Sequence, residues 1–343
     1  MTRGFGIIGA GIIAAVHADA IAMLPDTRLC AVTDVAAGAA QAFADARGCA
    51  AEPSVDDLLA RRDVDVVCVC VPSGLHAEVG VRAAKAGKHL VVEKPIDVTL
   101  EAADRLLAAA RQAGVALTVM SQHRFDPGVI EAKRLIDDGA LGTLVLGEAS
   151  TKWYRTQEYY DRAPWRGTWA MDGGALLNQG VHYVDLLRWC MGPAAEVTAV
   201  CTTQAHAIEV EDTALAIVTF ASGAVGTISA TTAAYPGFPQ RLEITGTDGT
   251  VTVEDGLLVR RALRGDNAAD AARSPGSSPS AAADPASLDA AVHAAQLADL
   301  LAAIDEGREP AVSGESGREA LEIVRAVYSS ARTGRPVTLG RPR

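Results

Sequence analysis

The chain has 343 residues, of which 49% are hydrophobic and 21% are charged, and its formal net charge is -11. This length exceeds what one compact core usually holds and predicts two domains, while no apolar run approaches the roughly 18 residues of a membrane span. The acidic balance, without any basic cluster, argues against a nucleic-acid partner, because it would repel phosphodiester backbones.

The six cysteines are scattered without a Cys-x-x-Cys pair, which favours reduced thiols over a disulfide framework. The apolar start MTRGFGIIGAGIIAAVHADAI contains recurring glycines, and no small-residue cleavage site follows a basic region. It therefore predicts a first strand and helix, not a signal peptide. We expect a cytoplasmic protein without a membrane partner.

The first 120 or so residues alternate short apolar strands with longer alanine-rich amphipathic segments. This alternation is typical of a parallel sheet covered by helices on both faces, so an α/β, doubly wound Rossmann domain is predicted over residues 1–122. The predicted strands are FGIIGA, RLCAVTDV, VDVVCVCVP, KHLVVEK and ALTVMSQ.

After about residue 123 the pattern changes to amphipathic helices and then to short β-branched strands joined by turns. It predicts a C-terminal α+β domain, residues 123–343, with a large, mostly antiparallel, open-faced sheet. The predicted strands are EVTAVCTTQ, DTALAIVTF, AVGTISATT, RLEITGT, TVTVED and LLVRRAL.

The end of the chain combines a loop with two helices. Residues 271–288 are rich in Pro, Ser and Ala, which predicts a mobile loop within the second domain. Helices are expected around 288–306 and 315–332, with the last helix a candidate to pack back near the Rossmann domain.

A nucleotide-binding motif, Gly9-x-Gly11-x-x-Ala14, follows the first strand directly and opens a helix. Gly9 permits the tight turn, and Gly11 lets the backbone approach a pyrophosphate that the helix N-terminus would bind. Asp34 ends the second strand at the spacing of a ribose-binding acid, whose carboxylate accepts from a 2′-OH but repels a 2′-phosphate. NAD is thus predicted in preference to NADP, although an acid that only stabilises the next helix would suit either cofactor.

The turn Glu93-Lys94-Pro95 follows a buried strand of the same sheet. Because ligands lie outside the carboxyl ends of strands in open α/β sheets, Lys94 is a candidate site residue and not merely a surface charge. Further cofactor contacts are predicted at the helix start and at strand ends, at Ile12, Ile13, Val71, Pro72, Ser73, His76, Glu93, Lys94 and Gln122.

A second polar constellation lies in DGGALLNQGVHYVDLLRW, residues 172–189. On a regular helix, Asn178, His182 and Asp185 would form one narrow polar stripe. Such stripes are usually solvated, but the neighbouring glycines permit a close backbone approach that a solvated helix would not need. The run therefore indicates a functional helix face.

Three separated motifs resemble the glucose-fructose oxidoreductase/inositol dehydrogenase/rhizopine-catabolism family, Gfo/Idh/MocA. They are Glu93-Lys94-Pro95, MSQHRFDPG at 120–128 and the Gly-Gly-x-x-x-Asn-x-Gly-x-His-x-x-Asp run from Gly173 to Asp185. The resemblance covers nearly the entire chain, including the closing PAVSGESGREALEIVRAVYSSARTGRPV.

The resemblance implies an NAD(P)-dependent oxidoreductase that transfers a hydride between a ring hydroxyl or ketone of a sugar, inositol or sugar derivative and nicotinamide. It implies that Lys94, whose bond to Pro95 is commonly cis in the family, lies beside the nicotinamide and the substrate hydroxyl, and that His182 is the acid/base. The family usually has aspartate where this chain has Asn178, and an amide can orient a hydroxyl or His182 but cannot take a proton. We therefore expect His182 to remove the hydroxyl proton and Lys94 to stabilise the alkoxide and relay the proton.

Aromatic residues are concentrated in KWYRTQEYYDRAPWRGTW, residues 152–169, although aromatics make up only 4% of the chain. This segment predicts one wall of a sugar pocket, and an aromatic cluster at the domain interface is the alternative. Arg124 is a further pocket candidate that could equally pin the interdomain linker. Substrate contacts are predicted at Arg124, Tyr154, Arg155, Trp165, Arg166, Asn178 and His182.

Two other functions are compatible with the resemblance. One is a glycosidase that uses bound NAD for transient redox, and the other is a noncatalytic nucleotide-binding sensor. No metal site is predicted, because His182 and Asp185 lack further ligands nearby. The antiparallel sheet is the predicted surface of a homodimer or homotetramer.

Overall fold

The computed structural model describes residues 2–266 and 290–340, so the loop predicted at 271–288 lies outside the described residues. The chain forms two compact units, with divisions after Gln122, Ser287 and Arg318, and the segment from 288 to 318 belongs to the first unit. No helix in the described ranges is long and apolar enough to cross a membrane.

The elements follow in chain order. The strands are β1 (Arg3–Ile8), β2 (Thr27–Thr33), β3 (Ala50–Ala51), β4 (Val66–Val69), β5 (His89–Val92), β6 (Leu117–Val119), β7 (Leu144–Lys152), β8 (Ala194–Thr202), β9 (Thr213–Phe220), β10 (Val225–Thr231), β11 (Arg241–Gly246), β12 (Gly249–Glu254), β13 (Leu257–Leu263) and β14 (Val337–Thr338). The helices are α1 (Ile12–Ala22), α2 (Ala37–Arg47), α3 (Val55–Ala60), α4 (His76–Lys85), α5 (Leu100–Ala113), α6 (Pro127–Asp137), α7 (Gln157–Asp161), α8 (Val181–Met191), α9 (Ala290–Glu306) and α10 (Gly314–Thr333).

The first unit is built on a parallel sheet which, over the described residues, has six strands in the order β3-β2-β1-β4-β5-β6. All four residues of β4 are buried, as expected for a strand covered on both faces. The strand order changes direction between β1 and β4, which is where ligands bind in such sheets. The predicted Rossmann domain is confirmed.

Helix α9 completes the core of this unit although it lies far along the chain. It packs against α1, and its Leu297 and Leu300 are fully buried in a cluster with Phe5 and Ile21. Both C-terminal helices were predicted, but the pattern of α9 gives no indication of its partner.

The second unit is built on a sheet which, as far as the structure describes it, has eight strands in the order β13-β12-β11-β7-β10-β9-β8-β14. It is antiparallel apart from the parallel pairing of β7 with β10. All six strands predicted here are present, whereas β7 was not predicted although its C-terminal half alternates in burial. The mostly antiparallel sheet is confirmed.

The helix expected to carry the polar stripe is not regular. Residues Ala175–Gly180 form a π turn, and the α-helix α8 begins only at Val181. A π turn pairs each residue with the fifth along, so it changes the angular spacing that a regular helix would give. The expectation that Asn178, His182 and Asp185 lie on one uninterrupted α-helix was therefore wrong.

Candidate active site

The turn after β1 leaves its backbone donors available. Gly9 has a φ of 101°, and a Cβ there would stand 2.4 Å from the carbonyl oxygen of Cys70, so only glycine fits. A Cβ on Gly11 would meet nothing within 4 Å. Helix α1 begins there without a capping side chain and without an acidic residue in its first turn. Its first N–H groups can therefore bind a diphosphate.

Asp34 is fixed beside this turn. Its Oδ2 accepts from the N–H of Ala10 at 2.8 Å, and its Oδ1 accepts from the N–H of Ala36 at 2.8 Å. Each carboxylate oxygen can accept a further hydrogen bond, so ribose hydroxyls can still bind. Gln122 is only 5% exposed, and its Oε1 has no hydrogen-bond partner among the described residues. These free acceptors and the open helix terminus fit a dinucleotide.

Two predicted cofactor contacts are turned into the protein. The ring nitrogens of His76 face the carbonyl oxygens of Pro95 at 2.7 Å and Val71 at 2.8 Å, and burial lowers the pKa of His76. Glu93 is 5% exposed, and its Oε2 accepts from the N–H of Lys94 at 3.1 Å. Both residues thus hold the Lys94-Pro95 turn, whose peptide bond is cis, and their contacts favour a supporting role over direct cofactor binding.

The remaining predicted cofactor contacts differ in exposure. Ile12 is 57% exposed, Val71 and Pro72 are half-buried, and Ser73 is 8% exposed. Ile13 is half-buried at the start of α1. These positions place backbone atoms, and not reactive side chains, around the nucleotide turn.

In the second unit, Glu211 closes the start of the π turn. Its Oε1 accepts from the N–H of Leu176 at 2.9 Å and from the hydroxyl of Tyr328 at 3.0 Å. A Cβ on Gly174 would stand 1.8 Å from Oε2, so this carboxyl group requires the glycine. Burial raises the pKa of Glu211 to about 7. Sequence reasoning did not find Glu211, because one acid before a strand gives no signal.

Asn178 is held by a carboxylate that the sequence analysis did not single out. Its Nδ2 donates to Oδ1 of Asp172, which is 1% exposed, and Oδ2 of Asp172 accepts from the N–H of Gly167 at 2.7 Å. Because a carboxylate only accepts, the amide nitrogen must face Asp172 and the amide oxygen must point elsewhere. The amide oxygen is thereby oriented as a hydrogen-bond acceptor.

His182 is 6% exposed and lies against a second imidazole. Its ring is perpendicular to that of His123, with 5.0 Å between the centroids. Nδ1 of His123 is 2.7 Å from Oδ2 of Asp126, which fixes the His123 ring. The candidate acid/base therefore has a rigid imidazole neighbour, which the sequence analysis did not single out.

Arg124 forms a buried ion pair. Its Nε and Nη2 donate to the two oxygens of Asp185 at 2.7 and 2.5 Å, both side chains are 5% exposed, and the guanidinium lies 5.0 Å from the ring of Trp189. This geometry favours the alternative reading of Arg124, a residue that pins the chain after Gln122, here against α8. Asp185 is likewise engaged in this pair.

The aromatic segment surrounds two arginines. Arg155 is 5% exposed and lies between the rings of Trp153 at 4.9 Å and Tyr159 at 5.4 Å. Arg166 lies 4.2 Å from the ring of Tyr159 and 4.8 Å from that of Trp165. The segment thus builds a cationic aromatic cluster, of which Arg166 is the more exposed member.

An open cavity of about 500 Å³ adjoins this cluster. Tyr160, Arg166, Gly167, Ile208 and Glu209 are among the residues that line it. The ring of Tyr154 is instead perpendicular to that of Tyr235, with 5.2 Å between the centroids. The segment therefore contributes a wall to a cavity, and Tyr154 is not among the residues lining it.

Comparison with known families identifies the class of protein. Residues 3–121 match the model described as "Oxidoreductase family, NAD-binding Rossmann fold" (GFO_IDH_MocA), and residues 129–252 match the GFO/IDH/MocA C-terminal domain. These matches cover more than half of the chain, which belongs to the GFO/IDH/MocA family. It is an oxidoreductase with an NAD-binding Rossmann domain.

Individual relatives match over almost their full length. Inositol 2-dehydrogenase from Rhizobium meliloti is 30% identical over 99% of this chain and 100% of its own. Myo-inositol 2-dehydrogenase from Thermotoga maritima is 28% identical over 97% and 98%. The WlbA dehydrogenase from Bordetella pertussis, solved in complex with NADH and UDP-GlcNAcA, is 32% identical, with a TM-score of 0.90 over 99% of each chain.

Proposed function

We propose that the protein is an NAD-dependent dehydrogenase that oxidises a ring hydroxyl of a sugar or polyol. The observation that carries the proposal is the amide of Asn178, which the buried Asp172 orients, followed four positions later by the buried imidazole of His182. NAD, when bound, supplies the hydride acceptor. The names of the relatives, which include inositol dehydrogenases, support the substrate class.

Each side chain has a distinct role in this proposal. His182 accepts the proton of the reacting hydroxyl, and Oδ1 of Asn178 accepts a hydrogen bond from the substrate or from the His182 ring. Lys94 stabilises the developing alkoxide with its positive charge and relays the proton. The proposal requires Lys94 and His182 to act on the same carbon.

A substrate that carries an anionic group is the more specific part of the proposal. Nε of Arg166 is buried without a hydrogen-bond partner among the described residues, and the guanidinium borders the cavity of about 500 Å³. A carboxylate or phosphate would pair with this cation. UDP-GlcNAcA, the ligand of the WlbA structure, carries both groups, whereas inositols carry neither.

The test is NADH formation at about 340 nm with a panel of inositol isomers, neutral sugars and UDP-linked uronic acids. NAD and NADP are compared throughout, and we expect NAD to be preferred. Lys94→Ala should lower kcat by about 100-fold or more, because the alkoxide loses its stabilising cation. Lys85→Ala, at an exposed lysine on α4, is the control and should retain turnover. A Lys94→Ala enzyme with wild-type kcat would contradict the assignment.

The same panel separates the two alternatives. Release of a leaving group without net NADH would indicate the NAD-dependent glycosidase. Binding of NAD without either signal on any substrate would indicate the noncatalytic sensor. Retention of both Lys94 and His182 argues against the noncatalytic sensor.

We also propose that the open face of the second-unit sheet joins subunits into a homodimer or homotetramer. Four large apolar side chains on β8, β9 and β10 are exposed by 45–65%, namely Val200, Leu215, Ile217 and Val225. Burial of such a patch stabilises association. Ile217→Glu should lower the mass measured by light scattering to that of one chain, whereas a wild-type monomer at micromolar concentration would contradict the proposal.

A cytoplasmic location is the last part of the proposal. All six cysteines are unpaired, and four of them, Cys30, Cys68, Cys70 and Cys190, are buried. Free thiols persist in a reducing compartment. Fractionation of cells that express the tagged chain provides the test, and recovery outside the cytoplasm would contradict it.

A further inference from the structure

A buried ion pair joins the helix after the nucleotide turn to the turn that carries Lys94. His17, on α1, is 0% exposed, and its Nε2 is 2.8 Å from Oε1 of Glu93, which is 5% exposed. The two residues are 76 positions apart in the sequence. Removing one partner of such a pair would leave the other charge buried and uncompensated.

The protonation states of the pair agree with its geometry. Burial opposes the charge on Glu93, but the hydrogen bond from His17 and its charge outweigh burial and lower the pKa of Glu93 to about 2. Burial also opposes the charge on His17, but interactions with Cys70 and Cys68 raise its pKa well above the usual value of 6.5. The ring of His293, 5.6 Å away, is a further titratable group that faces His17.

The second oxygen of Glu93 extends the link to the catalytic turn. Oε2 accepts from the backbone N–H of Lys94 at 3.1 Å, and the backbone N–H of Glu93 donates to the carbonyl of Val69 at 3.1 Å. The carboxylate is thus fixed on one side by His17 and fixes the Lys94 backbone on the other. The proposed cofactor and substrate contacts of Lys94 do not explain why α1 carries a buried histidine at this position.

We propose that His17 is a positioning residue, which acts through Glu93 to hold the backbone of Lys94 in its catalytic orientation. The inference rests on the role of Lys94 in the proposed function. The same contact links the helix that starts at the dinucleotide turn to the turn that bears the reacting ammonium group. His17 itself does not contact substrate or cofactor in this assignment.

The expected magnitude follows from the sensitivity of catalysis to geometry. A displacement of about 1 Å at a reacting group costs about 100-fold in rate. The N–H groups proposed to bind the diphosphate lie at the start of α1, near Gly11, and the His17 ring makes no contact with them. Loss of the pair should therefore reduce kcat more than it weakens NAD binding.

The experiment compares His17→Leu, which cannot donate, with His17→Gln, whose amide replaces the donating Nε2 without a charge. We expect kcat to fall by about 10–100-fold in His17→Leu while the Kd for NAD changes by less than about threefold. His17→Gln should recover kcat to within about fivefold of the wild type. His89→Gln is the matched control, since this half-buried imidazole lies at the opposite end of β5 from Glu93, and it should retain wild-type kcat.

Three outcomes would overturn the inference. They are wild-type kcat in His17→Leu, equal loss of kcat in His17→Leu and His17→Gln, and loss of NAD affinity as large as the loss of kcat. If His17→Leu does not fold, Glu93→Gln decides, because one amide oxygen cannot serve both former partners, and wild-type kcat in that variant would refute the link. An active Lys94→Ala enzyme would instead contradict the proposed function itself.

Discussion

Two helix starts in this protein use the same residue type in opposite ways. Helix α1 begins at Gly11 with no capping side chain, no acid in its first turn and open space where a side chain would be. Gly174 directly precedes the π turn that leads into α8, and there the carboxyl group of Glu211 accepts from the N–H of Leu176. One start leaves its donors for a ligand, and the other uses a donor within the protein.

The difference shows that a glycine before a helix can either leave backbone N–H groups accessible to a ligand or make room for a side chain that fixes the helix start. At Gly11 the missing side chain provides access to backbone N–H groups, and an anion provides the compensating charge when it binds. At Gly174 the missing side chain makes room for a buried acid, which fixes the segment that carries Asn178 and His182. A glycine beside a helix start thus indicates a ligand site only when the N–H groups remain unused.

The largest effect is expected from a substitution that caps the open N-terminus of α1. Gly11 has a φ of -82°, so Gly11→Asp should fold normally and cap α1, which contributes about 0.5–1 kcal/mol to stability. Its carboxylate would occupy the place of the diphosphate, and we expect the Kd for NAD to rise by about 100-fold or more. Calorimetric titration and thermal unfolding measure the two quantities. Unchanged NAD affinity in a folded variant would show that the N-terminus of α1 does not bind the cofactor.

A methyl group at each start gives a matched comparison of stability. Gly174→Ala would place Cβ against the Glu211 carboxyl group and should lower the free energy of unfolding by about 1–3 kcal/mol. Gly11→Ala meets nothing within 4 Å and should change it by less than about 0.5 kcal/mol. Urea unfolding measures the free energy of unfolding of both variants. Equal values for the two would contradict the predicted difference.

The smallest effect concerns the protonation of Glu211, the acid that accepts from the start of the π turn. The pKa of Glu211 is raised to about 7 in the folded protein, above its unfolded value, so its contribution is complete below about pH 4 and is lost as the pH rises through about 7. Between about pH 6 and pH 8 this group should cost about 1 kcal/mol of stability.

Glu211→Gln, which cannot ionise, isolates this contribution. The raised pKa of His17 gives wild type and variant the same additional loss of stability at high pH, so the difference between their melting temperatures reports on Glu211 alone. That difference should favour the variant increasingly as the pH rises. A pH-independent difference would show that Glu211 does not titrate in this range.

The sequence predicted what depends on local pattern. Continuous apolar strands identified the Rossmann sheet, and the spacing of Gly9, Gly11 and Asp34 identified the nucleotide turn that the geometry supports. Alternating β-branched segments identified six strands of the second sheet. Strand β7 was not predicted, because its central position depends on pairing with β10 and β11, which lie far along the chain.

Sequence reasoning did not find the contacts that hold the site in place. His17 and Glu93 are 76 positions apart, and Glu211 and Leu176 are 35 apart. Each residue alone is compatible with an ordinary surface or core role, and only the fold brings the partners together. The π turn was also not predicted, since apolar periodicity does not distinguish it from a regular helix over six residues.

The packing of α9 on α1 affects how this protein can be made. Leu297 and Leu300, the α9 residues that complete this core, are translated long after β6, because α9 starts only at Ala290. Ribosomes add roughly 5–20 residues per second, so the nascent segment that ends with β6 waits roughly 10–30 s for α9. During this interval apolar surface around Phe5 and Ile21 stays uncovered, and a fragment that stops at Gln122 should be recovered mainly as aggregate.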